Sequence, residues 1–195
     1  MLLRSWTWLL GGVFLLLTAC GGGGSSSPSS SVTTTAATTS NAVAVQVTGG
    51  YNDHFSNLLM TSVTVCLHNS STCKTIDNVQ VDTGSTGLRL LASALNGLAL
   101  PTIAGSSTGT TLYECADFAD GVVWGEMASA DVKLASEVAS NIPIQVITDT
   151  TGYASIPRSC SALGSNQSSL SALGGNGILG CLLYTSPSPR DGLLS

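Results

Sequence analysis

Charged and aromatic side chains are scarce in this chain, and their scarcity excludes several functions. Of the 195 residues, 9% are charged and 5% are aromatic, and six basic residues stand against eleven acidic ones. Without Arg4, Arg190 and Asp191, which lie near the two ends, four basic and ten acidic residues leave a net charge of −6. Because nucleic-acid binding needs a basic surface against the phosphates, nucleic acid is excluded as a partner.

Histidine is also scarce, and no cysteine spacing fits a zinc site. The chain has two histidines and six cysteines, so we expect neither a metal nor an organic cofactor. Four cysteines lie within the predicted folded part, an even number that is typical of an oxidising compartment and allows three pairings. Cys66 and Cys73 flank a polar turn between two strand-like runs, so we predict the disulfides Cys66–Cys73 and Cys115–Cys160. Metal binding is the alternative.

The first 19 residues have the features of an export signal. Arg4 precedes an apolar run over 6–17, which is short for a membrane span, and small residues follow. Leu-Thr-Ala-Cys at 17–20 resembles the lipobox of bacterial lipoproteins, in which Cys20 becomes the lipidated first residue. The resemblance implies a protein anchored in the bacterial cell envelope, at the outer membrane on its periplasmic or outer surface. An ordinary secreted protein or a short membrane anchor is the alternative.

Two segments are expected to lie outside the folded domain, which we place at 42–180. Residues 20–41 carry Gly, Ser, Thr and Ala with little apolar surface, which predicts a flexible tether. Residues 181–191 match one translated reading frame of a transposase adapter used in sequencing libraries, so 181–195 is interpreted as an artefact; a natural Pro/Ser-rich tail is the alternative. The gene is then expected to continue past Gly180.

Short runs rich in Val, Ile and Thr predict an all-β fold. They occur at close spacing and are separated by Gly, Asn, Ser and Asp turns, a pattern typical of a β-sandwich or barrel. We expect a helical turn near Ser93, where Asn-Gly and a proline end the one stretch of helical propensity. The predicted strands are 42–47, 58–67, 75–81, 88–91, 122–124, 130–134 and 142–147.

An apolar strand ends abruptly at Asp82, which is followed by Thr83, Gly84 and Ser85. A strand aims the carboxylate, and a glycine lets backbone N–H groups approach it. The sequence resembles the active-site loop of pepsin-like and retropepsin-like aspartic peptidases. That resemblance implies that Asp82 is catalytic, that Thr83 and Gly84 build the loop, and that Ser85 hydrogen-bonds the acid. An Asp-Thr-Gly turn in any β protein is the alternative.

Residues 118–125, followed by the strand-like run 130–134, resemble the flap hairpin of such peptidases. A flap is a thin, mobile hairpin that closes over an extended peptide and excludes water, so glycines and an aromatic recur in it. Phe118 stands where pepsins carry a tyrosine, and Tyr113 is a substitute for it. Two core aromatics in an ordinary hairpin are the alternative. The residues that the resemblance assigns to the flap are Phe118, Asp120, Gly121, Trp124 and Gly125.

Gly-Ile-Leu-Gly at 177–180 resembles the strand that crosses behind the catalytic loop in an aspartic-peptidase lobe. The order of loop, flap and this strand implies one N-terminal lobe of a bilobal parent, which a second lobe or a second copy would complete. Thr-Ile-Asp-Asn-Val at 75–79, leading into 82–90, is also similar to a family of proteobacterial lipoproteins known as domain of unknown function 3443. That similarity covers most of 43–180 and implies a longer parent with a second Asp-Ser/Thr-Gly-like loop.

Two functions follow from these resemblances. In the first, two aspartates share one proton and activate water for the hydrolysis of a peptide substrate, which requires the missing second carboxylate. In the second, a non-catalytic β-rich lipoprotein binds peptide or cell-envelope material. A second Asp-Thr/Ser-Gly loop in the whole gene favours the enzyme.

Overall fold

Alternating apolar residues build a molecule made mainly of strands, and the prediction of an all-β domain is confirmed. The computed structural model describes residues 41–149 and 155–181. The predicted signal peptide, lipidation at Cys20, nearly all of the tether and residues 182–195 lie outside the described residues. The eight strands are β1 (Gln46–Thr48), β2 (Leu58–Cys66), β3 (Cys73–Asp82), β4 (Thr86–Leu91), β5 (Tyr113–Phe118), β6 (Gly121–Leu134), β7 (Glu137–Ile147) and β8 (Gly177–Cys181).

Six of the strands pair in a closed ring. The order along the sheet is β1-β2-β3-β8-β4-β7-β6-β5, and an additional pairing of β2 with β6 closes it into a barrel. The long strand β6 makes the closure, because its C-terminal half pairs with β2 while its N-terminal half pairs with β5. The terminal strands β1 and β5 are therefore appended to a barrel of six.

The barrel interior is filled by side chains from one face of each strand. Strand residues two apart point to the same side, which places alternate apolar residues in one core. This core includes Val63 and Val65 from β2, Val79 from β3, Leu90 from β4 and Val146 from β7, each at most 1% exposed. A second apolar cluster lies where β5 and a short helix cover the outside of the barrel, and it comprises Leu91, Ala116, Val123, Ile147, Leu173 and Ile178.

Short helices connect the strands. They are the 3-10 helix η1 (Tyr51–Asp53) and the α-helices α1 (Ala92–Leu95), α2 (Arg158–Ser161) and α3 (Leu170–Leu173). Helix α1 confirms the turn predicted near Ser93. Helix α3 is capped at its N-terminus by Ser169, whose hydroxyl accepts from the backbone N–H of Ala172. Among the described residues, no helix is long and apolar enough to cross a membrane.

Both predicted disulfides are confirmed. Cys66–Cys73 joins paired residues of β2 and β3 across the polar turn, and Cys115–Cys160 joins β5 to α2. The second bridge links residues 45 apart in sequence, so it fastens the outer strand β5 to the segment that precedes α3. The thiol of Cys181, the last residue of β8, is free and exposed.

Candidate functional site

The Asp82 loop joins two strands that do not pair with each other, because β8 lies between them. Strand β8 runs parallel to β3, with Asp82 opposite Gly180, and antiparallel to β4, with Gly87 opposite the same glycine. The loop 83–85 must therefore pass over β8. The strand predicted to cross behind the loop lies where the resemblance expects it.

Gly180 allows this crossing because it has no side chain. A Cβ atom placed on Gly180 would lie 2.5 Å from the carbonyl carbon of Thr86 and 2.6 Å from that of Ser85. Real Cβ atoms do not approach backbone this closely, so any other residue would push the loop away from β8. The sequence Gly-Ile-Leu-Gly at 177–180 thus fixes the position of the loop that carries Asp82.

The Asp82 carboxylate is half-buried and held by its own loop. Its Oδ1 accepts a hydrogen bond of 2.8 Å from the backbone N–H of Gly84, the type of local bond that favours Asp at the start of a turn. A Cβ on Gly84 would lie 3.3 Å from that oxygen, so glycine here permits the close approach. The Gly84 N–H therefore lies beside the acid, and the catalytic role of the loop stays a prediction.

Thr83 and Ser85 complete the loop, and the hydrogen bond predicted between Ser85 and the Asp82 carboxylate is absent among the described residues. Thr83 is exposed at the turn. The hydroxyl of Ser85 is buried and has no hydrogen-bond partner among the described residues, so the expected bond to the Asp82 carboxylate is not formed. An unpartnered buried hydroxyl costs free energy, which makes Ser85 a position that a bound molecule or a loop movement would satisfy.

The predicted hairpin is present and is formed by strands β5 and β6. Strands β5 and β6 pair from Tyr113–Glu126 to Phe118–Gly121, so Ala119 and Asp120 form a two-residue turn. The rings of Tyr113 and Trp124 stack at 5.2 Å.

The tip of this hairpin is tied to the segment 165–168, which differs from the free, mobile hairpin expected of a flap. The backbone N–H of Val122 donates to the carbonyl of Ser165, and the N–H of Gln167 donates back to the carbonyl of Val122, both at 2.8 Å. The side-chain amide of Gln167 also donates to the carbonyl of Asp120 at 2.9 Å. Gly121 permits this contact, since a Cβ there would lie 2.2 Å from the Ser165 carbonyl oxygen.

Arg89 connects the hairpin to the Asp82 loop, and sequence reasoning missed it. Its Nη2 donates to Glu114 of β5 at 3.0 Å, and its Nη1 donates to the carbonyl of Thr86 at 2.5 Å. Its guanidinium lies 5.5 Å from the centre of the Phe118 ring, within the range of a cation–π contact. The available signal is a single charge inside the apolar run Leu-Arg-Leu-Leu at 88–91.

Two acidic groups away from the Asp82 loop have shifted pKa values. Burial raises the pKa of Glu126 on β6, because the charged form loses hydration. The hydrogen bond from His68, at 2.8 Å, and a further one from the backbone N–H of Asn141 lower the pKa of Asp131. No group of three or more His, Cys, Asp or Glu side chains suited to a metal ion occurs in the described part of the chain.

A cavity of about 470 Å³ lies on the η1 side of β3 and β8. Its walls contain amides, a hydroxyl, an aromatic ring and apolar groups, and no charged side chain. Asn78 is four strand residues from Asp82, about 13 Å along β3. The lining residues are Thr48, Gly50, Tyr51, Asn52, Met60, Asn78, Leu170, Gly174, Gly175 and Asn176.

Comparisons with known proteins identify the family. The model of the family "Protein of unknown function (DUF3443)" matches residues 37–187. No curated protein matches the sequence. One similar solved structure is the aspartic proteinase from Irpex lacteus, with 21% sequence identity and a TM-score of 0.32 over 53% of this chain and 30% of that one, so the chain spans under a third of that proteinase. Since the family match covers more than half of the sequence, the chain belongs to the family Protein of unknown function (DUF3443).

Proposed function

We propose that this chain supplies one half of an aspartic-peptidase-type active site, with Asp82 as one of two carboxylates that share a proton. One carboxylate takes a proton from the attacking water while the other donates a proton to the carbonyl oxygen of the substrate. Gly84 holds the acid through its backbone N–H, and Thr83 and Ser85 flank it. The second carboxylate comes from outside the described residues.

The observation that carries the proposal is the threading of β8 beneath the Asp82 loop. The crossing follows from the strand order, and its consequence is that the loop rests directly on β8. A carboxylate used in catalysis must be held still in this way. The loop rests on Gly180 through the backbone of Ser85 and Thr86, and the Asp82 carboxylate accepts a hydrogen bond from the N–H of Gly84. Gly84 and Gly180 lie almost 100 residues apart in sequence, so it is the tertiary fold that brings both glycines to this loop.

The test is peptide hydrolysis at acidic pH by the product of the whole gene, so that any further segment is included. We expect cleavage that pepstatin inhibits and that Asp82→Asn lowers by about 10²–10⁴-fold, the usual contribution of a proton-transferring group. Asp77→Asn is the matched control, since Asp77 is an exposed carboxylate on the same strand. Full activity in Asp82→Asn would reject the assignment.

We further propose that the protein is exported and anchored in the cell envelope by lipid on Cys20. The support is the sequence pattern at 1–20, since these residues lie outside the described part. Mass spectrometry of the mature protein is expected to show an acylated N-terminal cysteine that Cys20→Ala removes. A mature N-terminus elsewhere, without lipid, would contradict this assignment.

A second candidate is a binding protein without catalysis, and the cavity beside β3 and β8 favours it. The cavity is uncharged and presents the side chains of Tyr51, Asn52 and Asn78, which suit a neutral ligand that carries amide or hydroxyl groups. Peptides and cell-envelope glycans both fit this description. If the whole gene product shows no hydrolysis but binds envelope peptide fragments, with Asn78→Leu reducing the affinity, this candidate replaces the first.

A further inference from the structure

Arg89 lies on the same sheet face as Asp82. Asp82 of β3 and Gly87 of β4 are both opposite Gly180 of β8, and paired residues of neighbouring strands point to the same side. Arg89 follows Gly87 by two residues, so its side chain also emerges on that side. The face that carries the candidate catalytic carboxylate therefore carries one arginine beneath the β5–β6 hairpin.

The Arg89 guanidinium contacts both the end of the Asp82 loop and the β5–β6 hairpin. On the loop side it donates to the carbonyl of Thr86, the residue that follows Ser85. On the hairpin side it donates to the Glu114 carboxylate and lies against the ring of Phe118. The buried side-chain amide of Gln145 on β7 also holds strand β5, because it donates to the backbone carbonyl of Glu114 at 2.8 Å.

The burial of this arginine is costly, which argues against a purely stabilising role. Its side chain is 11% exposed, and its Nε has no partner among the described residues. Its partner Glu114 is 26% exposed, so the pair is partly buried, and the loss of hydration at the arginine offsets part of the attraction between the two charges. Gln145, opposite Arg89 on β7, likewise has an unpartnered buried Oε1.

We propose that Arg89 is a positioning residue that couples the position of the hairpin 113–125 to that of the Asp82 loop when a peptide binds. The inference rests on the proposed peptidase function. In this arrangement, Glu114 orients the guanidinium, Phe118 packs on it, and the Thr86 carbonyl transmits the position of the hairpin to the loop. Arg89 acts through these groups and takes no part in proton transfer.

The first experiment measures the coupling without any activity. Amide hydrogen exchange is followed in Arg89→Met, Arg89→Lys and Glu114→Gln, with the exposed Arg158→Met as the matched control. We expect at least tenfold faster exchange in Arg89→Met at Gly84 and in the strand 113–118, a smaller change in Arg89→Lys, and none in Arg158→Met.

Glu114→Gln is the decisive variant, since Glu114 lies on the hairpin and, among the hydrogen bonds of the described residues, is linked to the loop side through Arg89. Faster exchange at Gly84 in this variant supports the coupling. Exchange at Gly84 that stays at the wild-type rate while 113–118 loosens would overturn it. Glu114→Gln removes the charge that orients the guanidinium but leaves Arg89 in the chain, so it serves also if Arg89→Met does not fold.

The second experiment separates positioning from folding by steady-state kinetics of the whole gene product on a peptide. We expect Arg89→Met to raise KM about tenfold with a smaller change in kcat, and Arg89→Lys to restore part of the loss. Equal losses of kcat in both variants with KM unchanged would overturn the positioning role. If the wild type shows no hydrolysis but Gly84 still responds to Glu114→Gln, the peptidase proposal fails while the coupling stands.

Discussion

At the scale of single residues, the Asp82 carboxylate owes its position to two glycines. Gly84 brings a backbone N–H to the acid, and Gly180 lets the loop lie directly on β8. The Gly84 contact is local and follows from the Asp-Thr-Gly sequence. The Gly180 contact could not be inferred from local sequence, because Gly180 meets Ser85 and Thr86 only after β8 has inserted between β3 and β4.

Gly180→Ala is expected to destabilise the fold by about 1–3 kcal/mol, because its Cβ would overlap loop backbone that has no room to move. Gly109→Ala serves as the control, since a Cβ at Gly109 meets no atom within 4 Å and only its positive φ of 78° opposes the change. Urea unfolding of both variants gives the comparison. An equal or smaller loss in Gly180→Ala would show that the loop does not rest on β8.

Asp131 gives a prediction about pH. Hydrogen bonds from His68 and from the Asn141 N–H lower the pKa of its carboxyl in the folded state. Such a group stabilises the fold above its unfolded pKa of about 4 and loses this contribution as pH falls through the lower folded value. Asp131→Asn should therefore reduce the free energy of unfolding at pH 6 and have progressively less effect below about pH 4. A deficit of the same size at pH 6 and pH 3 would count against this explanation.

At the scale of elements, the sequence predicts strands that have regular apolar alternation. It does not predict strands that form only because they pair with a neighbouring strand. The central parts of β2, β3, β4 and β7 follow from Val, Ile and Leu at alternate positions. Strand β5 was missed, since Tyr-Glu-Cys-Ala-Asp-Phe carries two acids and an alanine, and it becomes a strand by pairing with β6 and covering the second apolar cluster.

Strand β6 is longer than the sequence predicts. The sequence predicted two separate strands at 122–124 and 130–134, because Glu126 and Ser129 interrupt the apolar run. In the structure they are one strand from Gly121 to Leu134, paired along most of its length with β7. The role of Arg89 escaped prediction for a related reason, as its partner Glu114 is 25 residues away and lies on the strand that was missed.

The two disulfides should contribute unequally to stability. Closing the 45-residue separation of Cys115–Cys160 restricts the unfolded chain more than closing the 7-residue separation of Cys66–Cys73. We expect the free energy of unfolding to fall by about 4 kcal/mol when Cys115 and Cys160 are both replaced by Ser. The same replacement of Cys66 and Cys73 should lower it by about 2 kcal/mol. Guanidinium unfolding under oxidising conditions measures both losses. The reverse order would indicate that strain or residual structure in the unfolded state outweighs loop length.

At the scale of the whole molecule, the barrel, its two apolar clusters and the hairpin place one acidic loop beside one aromatic-lined hairpin. The net charge is acidic and the residues that line the cavity carry no charged side chain, so under either proposed function we expect a neutral or cationic ligand. The proposed catalytic pair of aspartates also needs a second carboxylate besides Asp82.

The central claim is that Asp82 is one of two carboxylates that recognise the tetrahedral intermediate of peptide hydrolysis. Its most direct test is calorimetric binding of pepstatin, which mimics that intermediate, to the whole gene product at acidic pH. Because analogues of this kind bind through the transition-state contacts, we predict affinity at least 10²-fold weaker in Asp82→Asn than in the wild type or in Asp77→Asn. Equal binding by all three proteins would contradict the account.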